Sequence, residues 1–564
     1  MSKKIVIVGG VAGGSTAAAR LRRLDETAEI VMFDKGEYIS YANCGLPYYI
    51  GGTIEDRKKL LVQTPESMAA RYNVDIRTLS EVTRIDRENK TISVHDLSSD
   101  QTYEETYDQL ILSPGARPIV PPIPGIDEAK ALFTLRTIPD TDRIKAYVDE
   151  QKPSEAVVIG GGFIGVEMAE NLRDVGMNVT LIEMANQIMP PLDYEMAAIV
   201  HQQLRDKGVN LILNDGVKAF KNNGTKVLTQ NGKVIGTNLI ILSIGVRPEN
   251  ELAVNAGLSV GTRGGIQVDE YLQTSDPSIY AIGDAIEVKC YINKQTTMIP
   301  LAWPANRQGR LVADNMYGKY TPYNGTLGTS IAKVFDYTVS TTGNNEKTLK
   351  SLGINYEVVH VHPSSHAGYY PGASPIALKL IFDQETGKIF GAQAVGKNGV
   401  DKRIDVIATA IKGDLTVLDL PDLELAYAPP YSSAKDPVNM AGYVASNIVE
   451  GLIETVQWHE IDAIVENGRT LIDVRNSSEF KKGYINGAIN IPVDDLRSHL
   501  HELPQNETIY VHCQVGLRGY IATRILRENG FIAVNLDGGY RTYDQVIRDK
   551  LDSISNKGVS KTNG

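Results

Sequence analysis

Runs of apolar residues that lack alternation, each followed by a glycine-rich turn, occur at two places in the N-terminal half of the chain. The run KIVIVGG is followed by a helical pattern over about residues 15–24 and by the strand EIVMFD, which ends in Asp34. The same order recurs from AVVIGGG to VTLIE, which ends in Glu183. Unbroken apolar strands separated by helices are typical of a parallel sheet. The pattern therefore predicts two βαβ units.

The periodicity changes in the C-terminal half. IALKLIFDQETGKIFGAQAVG alternates as two antiparallel strands with a turn at residues 383–387, and IDVIATAIKGDLTVLDL follows a helical pattern. Short strands and helices alternate again from about residue 456, including TIYVHC and an amphipathic helix over residues 517–529. The sequence thus predicts an α/β protein with two Rossmann-like domains, an α+β domain and a further α/β domain.

The changes of pattern also predict the domain boundaries. SIYAIGDA, at residues 278–285, returns to the first domain, and the polar C-terminal tail is predicted to be disordered. The predicted divisions are 1–115 with 250–324 for the first Rossmann-like domain, 150–249 for the second, 325–445 for the α+β domain, 456–555 for the last α/β domain and 556–564 for the tail.

Composition restricts the class of function. The chain has 564 residues, of which 42% are hydrophobic and 22% charged, and its formal net charge of -11 argues against a nucleic-acid partner. No apolar run reaches the ~18 residues of a membrane span, and the N-terminus enters a strand instead of a signal peptide. Three cysteines fit a reducing compartment. We therefore expect a cytoplasmic protein, without a membrane span or a metal site.

Both glycine-rich turns are placed to bind a dinucleotide. Gly160, Gly162 and Gly165 complete the GxGxxG pattern, whereas the first turn departs from it at Val11. The amides at each helix N-terminus would hold a pyrophosphate, and the acid that ends the next strand would accept from the ribose hydroxyls. The acid of the second unit, Glu183, would repel a 2′-phosphate, which favours NADH over NADPH.

FAD is expected on the first of these units. Asp284, in the segment AIGD, matches a feature of FAD-binding proteins, and the similar segments LILSPGARP and LIILSIGVRP close the two units. The residues predicted to contact the two cofactors are Gly9, Gly10, Val11, Ala12, Gly13, Asp34, Gly115, Asp284, Gly160, Gly162, Gly165, Glu183 and Gly245.

Cys44 is the candidate redox centre of the N-terminal region. It lies in SYANCGLPYY, and no second cysteine stands near it. A lone thiol must form its disulfide with a small molecule or be oxidised to a sulfenic acid. Beside two dinucleotide turns, this thiol indicates sulfur chemistry driven by a nicotinamide.

Four segments carry a family resemblance: SYANCGLPYYIGG, GGVAGG, GKNGVDKRID and AYAPPYSSAKD. Over about residues 1–445 the chain resembles the coenzyme A disulfide reductases, the single-cysteine branch of the pyridine nucleotide-disulfide oxidoreductases. The resemblance implies FAD, a nicotinamide cofactor and a homodimer whose C-terminal domain completes the partner's active site. It also implies that Tyr369 and Tyr427 reach the cysteine of the other subunit, where a phenol would donate to a thiolate or act as a general acid.

The same resemblance assigns residues to coenzyme A. Thr16, Arg20 and Arg23 share one stripe of the first helix, and guanidinium groups suit the phosphates of the adenosine part. The full set of predicted substrate contacts is Thr16, Arg20, Arg23, Ser40, Asn43, Arg71, Asn306 and Lys435.

The C-terminal domain supplies a second thiol. LIDVRNSSEFKKGYINGAINIP and HCQVGLRG resemble the rhodanese signature and its active loop. Inward backbone amides, the N-terminus of the following helix and Arg518 would stabilise a thiolate or persulfide of Cys513. Asp473 and Arg475 would brace the fold, and Tyr484 stands where the family often has histidine.

These features predict an NADH-dependent flavoenzyme that reduces CoA persulfide, CoA polysulfide or CoA disulfide through a mixed disulfide at Cys44, while Cys513 carries sulfane sulfur. Two alternatives remain open. NADH peroxidases and oxidases cycle through a cysteine sulfenic acid, although relatives of the peroxidase carry histidine in the first turn, where this chain has Val11 and Ala12. A sulfur carrier or redox sensor is the other alternative, but it would have no use for two nucleotide sites.

Overall fold

The computed structural model describes residues 2–558, with side chains through residue 553. The chain divides into two units. The first unit comprises Met1–Met184 with Asp215–Gly328, and the second comprises Ala185–Asn214 with Thr329–Gly564.

A parallel sheet of five strands forms the core of the first unit. Its central strand, Lys4–Val8, has buried side chains from Ile5 onward, which is why the sequence shows no alternation there. In order across the sheet the strands are Ile279–Ala281, Gln109–Leu112, Lys4–Val8, Glu29–Phe33 and Asp75–Arg77.

The second βαβ motif forms a second parallel sheet. Four neighbouring strands of this sheet lie in the first unit, in the order Asn178–Ile182, Glu155–Ile159, Leu239–Leu242 and Leu132–Phe133. Two antiparallel sheets and two short strand pairs complete the β structure of this unit. They are Ser80–Asp86 with Thr91–Asp96 and Gln101–Thr106, Val217–Lys221 with Lys226–Thr229 and Val234–Gly236, Ala116–Pro118 with Val246–Pro248, and Val288–Lys289 with Thr296–Thr297.

The helices of the first unit begin where the turns end. The first helix starts at Ala12, inside the glycine turn and earlier than the predicted residue 15. The α-helices of this unit are Ala12–Leu24, Leu46–Ile50, Pro65–Tyr72, Ile138–Gln151, Phe163–Asp174, Glu251–Asn255 and Ala302–Met316.

The second unit contains an antiparallel and a parallel sheet. The antiparallel strands, in order, are Ser330–Val334, Tyr337–Gly343, Ile389–Gly396, Ile376–Phe382 and Glu357–Val361. The parallel strands, in order, are Thr455–Val456, Ala533–Leu536, Ile509–His512, Leu471–Asp473 and Ile489–Asn490. The strand Asn210–Ile212 also belongs to this unit.

The α-helices of the second unit are Tyr194–Asp206, Glu346–Ser351, Val400–Lys412, Pro437–Val449, Ile461–Glu466, Ser477–Phe480, Leu517–Glu528 and Gly539–Gly558. The sheets and helices confirm the predicted α/β fold class with an α+β domain. Within residues 2–558, no helix is at once long and apolar enough to cross a membrane.

Two predicted boundaries in the second unit are wrong. The helix predicted from IDVIATAIKGDLTVLDL ends at Lys412, because Gly413 follows it and Asp414 adopts a left-handed backbone with φ of 55°. The predicted disordered tail begins inside the last helix, which continues to Gly558. Burial of Val546 and Asp549 anchors this helix in the unit. The rest of the predicted tail, residues 559–564, lies outside the described residues.

Candidate active site

The first glycine turn is shaped by two close backbone approaches. Gly9 has φ of +96°, and a Cβ there would lie 2.1 Å from the Ser113 carbonyl oxygen. A Cβ at Gly14 would lie 1.9 Å from the Gly9 carbonyl oxygen. Only glycine permits both approaches. Gly14 was missing from the sequence-based set, although the spacing shared with Gly160–Gly165 marks it.

The second turn repeats this geometry. Gly160 has φ of +105°, and a Cβ at Gly165 would lie 1.9 Å from the Gly160 carbonyl oxygen. Gly162 forms the N-cap of the helix Phe163–Asp174 without a capping side chain. Both turns therefore leave helix N-terminal amides free of side-chain caps, which is the arrangement that a pyrophosphate requires.

The predicted ribose-binding acids lie beside their turns. Asp34 Oδ2 accepts a hydrogen bond from the Gly10 amide at 2.8 Å, and Glu183 Oε2 accepts one from the Gly161 amide at 2.7 Å. Burial raises the pKa of Asp34, while backbone donors oppose that rise. A cavity of 560 Å³ opens here, and Gly9, Val11, Asp34 and Arg136 belong to its lining. The donors, acids and space fit a dinucleotide.

The remaining predicted cofactor residues occupy the edges of these turns. Val11 is the N-cap of the first helix, which Ala12 and Gly13 begin. The Gly115 carbonyl accepts from the Glu249 amide at 2.9 Å and the Gly245 carbonyl accepts from the Ile119 amide at 3.0 Å, so the two similar segments pair with each other.

Asp284 lies in the turn Gly283–Ala285 of the first unit. Burial raises its pKa to about 6.

Cys44 lies in a one-turn 3-10 helix, Asn43–Gly45, which leads into the helix Leu46–Ile50. The residue is exposed. Its packed surroundings nevertheless raise the pKa of the thiol by desolvation, and the carboxylates of Glu167 and Asp284 raise it further. These groups favour the thiol over the thiolate, which is the nucleophilic form.

Glu167 is a neighbour that the sequence did not reveal. Burial raises the pKa of Glu167 to about 7, and the charge of Glu170 adds to the rise. Tyr48, one turn after Cys44, has its pKa raised to about 12 by burial and by the same two carboxylates. The only available sequence signal was the position of Glu167 in the helix after the second glycine turn.

Two of the predicted coenzyme A contacts are joined directly. Thr16 Oγ1 donates to Asn306 Oδ1 at 2.7 Å. Arg20 is ion-paired instead, since its Nε lies 2.8 Å and its Nη2 2.6 Å from Asp314 Oδ1. Arg23 is exposed at the end of the same helix. The predicted pair of guanidinium groups is therefore unequal, with Arg23 the more available to a phosphate.

The other predicted contacts of the first unit stand near Cys44 in the chain or at the surface. Ser40 adopts a left-handed backbone with φ of 46°, and Asn43 begins the turn that holds Cys44. Arg71 is exposed in the last turn of the helix Pro65–Tyr72.

The helix Ala302–Met316 adds residues that the sequence did not single out. Trp303 is 68% exposed, and Arg310 is exposed on the same helical stripe as Trp303 and Asn306. An exposed indole beside polar groups is suited to stack on an adenine ring. Spacing around Asn306 was the signal that could have found them.

The second unit brings the two predicted tyrosines together. The hydroxyl oxygens of Tyr369 and Tyr427 lie 2.9 Å apart, and this hydrogen bond raises the pKa of Tyr369. Both rings are exposed. Tyr427 lines a cavity of 520 Å³ together with His366, Lys402 and Tyr431. Lys435 is exposed, with its ammonium 5.7 Å from the centre of the Tyr443 ring.

Cys513 has a contrasting setting. The residue is 1% exposed, and the Gly516 amide donates to its Sγ at 3.2 Å. The Tyr540 amide donates to the Cys513 carbonyl at 2.8 Å, and the Arg541 amide donates to the Gln514 carbonyl at 3.0 Å. We call residues 513–518 the Cys513 loop. Its conformation is fixed from both sides, with an amide directed at the sulfur.

Arg518, predicted to stabilise the Cys513 sulfur, also forms an ion pair with a carboxylate. Its Nη1 and Nη2 donate to the Glu479 carboxylate at 2.7 and 2.8 Å, which raises the pKa of Arg518. The negative charge of a Cys513 thiolate would also act on Arg518. Glu479 is the partner that the sequence did not reveal, although it lies in the SSEF segment of the rhodanese-like signature.

Asp473 and Arg475, which were predicted to stabilise the fold, form an ion pair, and Arg475 also contacts the Cys513 loop. Arg475 is 2% exposed, and its Nη2 pairs with Asp473 Oδ2 at 2.6 Å. Its Nη1 donates to Gln514 Oε1 at 3.1 Å, and its guanidinium lies 4.0 Å from the centre of the Tyr540 ring. A buried cation therefore connects the strand end to the Cys513 loop.

Comparison with known proteins matches three family models to consecutive parts of the chain. Pyridine nucleotide-disulphide oxidoreductase matches residues 3–309, the dimerisation domain of that family matches residues 329–437, and the rhodanese-like domain matches residues 457–545.

Coenzyme A disulfide reductase of Staphylococcus epidermidis is 38% identical over 450 residues, which cover 78% of this chain and 99% of that protein. Two solved structures span both thiols. Reduced Bacillus anthracis CoADR-RHD is 64% identical with a TM-score of 0.96, covering 97% of this chain and 99% of that one. An NAD-dependent persulfide reductase from A. fulgidus is 38% identical with a TM-score of 0.89, covering 96% of this chain and 100% of that one.

Proposed function

The chain belongs to the pyridine nucleotide-disulphide oxidoreductase family, and we propose that it reduces CoA persulfide, CoA polysulfide or CoA disulfide with NADH. The observation that carries the proposal is the pair of thiols in one chain. Cys44 lies in the oxidoreductase domain with no second cysteine near it in the sequence, and Cys513 lies in a rhodanese-like loop. A relative with both domains is an NAD-dependent persulfide reductase.

The first unit binds the cofactors. The first turn, with Asp34 and Asp284, would hold FAD, and the second turn, with Glu183, would hold NADH. Bound together, these cofactors supply the two electrons that reduce a disulfide at Cys44. The Glu183 carboxylate accepts from the Gly161 amide, and its negative charge would repel the 2′-phosphate of NADPH. We therefore infer that NADH is the preferred donor.

Cys44 exchanges the sulfur bond. As a thiolate it attacks the inner sulfur of CoA persulfide, which forms a mixed disulfide with CoA and releases hydrosulfide. Two electrons then break the mixed disulfide, giving the Cys44 thiolate and CoA thiol. The overall reaction is CoA persulfide plus NADH to CoA thiol, hydrosulfide and NAD⁺. With CoA disulfide the first leaving group is CoA thiolate instead.

The tyrosine pair serves protonation. Tyr369 and Tyr427 share one hydrogen bond at the surface of the second unit, and we infer that in a homodimer they approach the Cys44 of the partner subunit. There a phenol would donate a proton to the departing thiolate. The groups near Cys44 in its own subunit include the carboxylates of Glu167 and Asp284.

Cys513 delivers sulfur to this reaction. Its loop is suited to an anionic sulfur. The Cys513 thiolate would attack the outer sulfur of thiosulfate, which forms a Cys513 persulfide and releases sulfite. The persulfide would then pass its outer sulfur to CoA thiolate, restoring the Cys513 thiolate and forming CoA persulfide. Joining donor and reductase in one chain raises the effective concentration of the donor. The three cysteines form no disulfide, and we infer that the enzyme acts in the cytoplasm.

The test is anaerobic NADH oxidation by the FAD-loaded protein. CoA persulfide, CoA disulfide and hydrogen peroxide are offered separately, and sulfide is assayed in parallel. The proposal predicts turnover on the CoA substrates, with one sulfide released for each NADH oxidised on the persulfide. Faster turnover on hydrogen peroxide would contradict it and would favour a sulfenic acid cycle at Cys44.

A further inference from the structure

A buried group of charges lies between the dimerisation and rhodanese-like domains, inside the second unit. Lys379 is fully buried, and its ammonium pairs with Asp193 Oδ2 at 2.9 Å and with the carboxylates of Glu195 and Glu346. These carboxylates hold the Lys379 ammonium in its charged form, because they raise its pKa well above normal against the effect of burial. We call this set, with His360 and Asp537, the buried charge cluster.

His360 connects this cluster to the rhodanese-like domain. Its Nε2 lies 3.1 Å from Glu195 Oε1, and its Nδ1 lies 2.5 Å from Asp537 Oδ2. The His360 amide also donates to Asp537 Oδ1 at 3.0 Å. His360 belongs to the strand Glu357–Val361 of the dimerisation domain, whereas Asp537 follows the strand Ala533–Leu536 of the rhodanese-like domain.

Asp537 stands directly before the backbone that holds the Cys513 loop. Gly538 and Gly539 follow, with φ of 67° and 61°. A Cβ at Gly538 would lie 3.0 Å from His360 Cβ, and a Cβ at Gly539 would lie 2.6 Å from the Cys513 carbonyl oxygen. After these two glycines, the amide of Tyr540 donates to Cys513, as described above. Two glycines thus separate the residue held by His360 from the first residue that holds the loop.

We propose that His360, outside the rhodanese-like domain, is a positioning residue for sulfur transfer at Cys513. His360 touches neither the sulfur nor any substrate. It fixes Asp537, Asp537 fixes the glycine turn, and the turn fixes the Cys513 carbonyl and the amides beside it. The inference rests on the proposed role of Cys513 in carrying sulfane sulfur.

The charges around His360 determine how this link responds to pH. Asp537 from the rhodanese-like domain, Glu195 from the helix Tyr194–Asp206 and Lys379 from the strand Ile376–Phe382 all face the ring. Burial alone would lower the pKa of His360, and Lys379 acts in the same direction, but the Asp537 and Glu195 carboxylates raise it to about 9. The ring is therefore cationic at neutral pH, and the link is expected to weaken as pH rises through about 9.

The test compares His360→Ala with His360→Asn in the full-length, FAD-loaded enzyme. Asparagine keeps a neutral donor near the position of Nδ1, whereas alanine removes it. We expect His360→Ala to lower kcat for sulfur transfer from thiosulfate about tenfold or more, with KM for thiosulfate nearly unchanged, because displaced catalytic groups lose rate rather than affinity. His360→Asn should recover part of the loss. NADH-linked reduction of CoA disulfide should stay within twofold of wild type in both variants.

Alkylation of Cys513, followed by mass spectrometry, supplies a second measurement that does not depend on turnover. Because Cys513 is 1% exposed, a loosened loop should react faster with iodoacetamide in His360→Ala than in wild type. Wild-type alkylation should also accelerate between pH 8 and 10 beyond the increase expected from thiol ionisation, as His360 loses its proton. The His360→Asn variant should lack this extra acceleration.

Val361→Ala provides the matched control, since Val361 is the next buried residue of the same strand and makes no hydrogen bond to Asp537 through its side chain. The positioning role would be overturned if His360→Ala kept the wild-type kcat for sulfur transfer and the wild-type rate of Cys513 alkylation. It would also be overturned if Val361→Ala lost as much sulfur-transfer activity as His360→Ala. Sulfur transfer that persists in Cys513→Ser would instead overturn the proposed function of Cys513. The two failures are therefore distinguishable.

Discussion

The two thiols of this enzyme are prepared for reaction in opposite ways. Cys44 is exposed in a short turn, and desolvation by its packed surroundings raises the pKa of the thiol, with nearby carboxylates adding to the rise. Cys513 is buried in a loop where an amide donates to the sulfur and Arg518 stands near. The amide and the guanidinium that favour an anion at Cys513 both come from the rhodanese-like domain, whereas the carboxylates near Cys44 disfavour an anion there.

Exchanging each thiol for a hydroxyl should separate the two activities most strongly. Cys44→Ser is expected to abolish NADH-linked reduction of every CoA substrate, because serine forms no mixed disulfide, while sulfur transfer from thiosulfate persists. Cys513→Ser is expected to abolish that transfer and leave the reduction of CoA disulfide intact. Steady-state assays of both activities in both variants check this, and loss of both activities in either variant would break the proposed separation.

Removing the buried cation behind the Cys513 loop should have the next largest effect. Arg475→Met leaves the buried Asp473 carboxylate without its main partner, and loss of one member of a buried ion pair costs about 3–5 kcal/mol. We expect the rhodanese-like domain to unfold at lower urea concentration and sulfur transfer to fall. Arg548→Met, which removes the exposed cation of an i,i+4 pair with Asp544, is the control and should cost less than about 1 kcal/mol.

The proposed stacking of the substrate's adenine ring on Trp303 can be tested by substitution. Base stacking on an aromatic ring contributes about 1–3 kcal/mol, so Trp303→Ala should raise KM for CoA disulfide about fivefold or more with kcat nearly unchanged. Tyr320→Ala removes another ring that is 68% exposed in the same unit and should leave KM unchanged. Equal effects of the two changes on KM would show that Trp303 has no specific role.

The smallest expected effect concerns the acidity of Cys44. Glu167→Gln removes one of the carboxylates that raise the pKa of the thiol, so the pKa of Cys44 should fall. The pH dependence of Cys44 alkylation in the FAD-loaded protein measures this change. Glu26→Gln, an exposed substitution that is not among the causes of the Cys44 shift, serves as the control. An unchanged or raised pKa in Glu167→Gln would contradict the electrostatic description of this site.

The fold and the glycine turns could be predicted from the local pattern of apolar residues and glycines in the sequence. Buried parallel strands appear in sequence as unbroken apolar runs, and the close approach at Gly165 requires the glycine that the GxGxxG spacing marks. The same spacing marks Gly14 in the first turn, where the close approach to the Gly9 carbonyl oxygen requires glycine. Helix ends were less accurate, because they depend on a single backbone conformation such as that of Asp414.

Pairings between distant residues could not be predicted from the sequence. The sequence predicts that Arg20 and Arg518 face anions of the substrate or the sulfur. In the structure each also has a carboxylate partner, Asp314 and Glu479 respectively. The contact between His360 and Asp537 joins residues 177 positions apart in the chain, which belong to two different domains. Such partners are determined by packing between elements, and their spacing in sequence carries no signal.

The direct test of the central claim is the mass of the enzyme after one exposure to CoA disulfide without NADH, followed by peptide mapping under non-reducing conditions. We predict one CoA joined through a disulfide to the peptide that contains Cys44, none on Cys513, and complete removal of the adduct by NADH. An oxidised Cys44 without CoA, or an adduct that NADH does not remove, would contradict the claim that Cys44 exchanges sulfur bonds with coenzyme A.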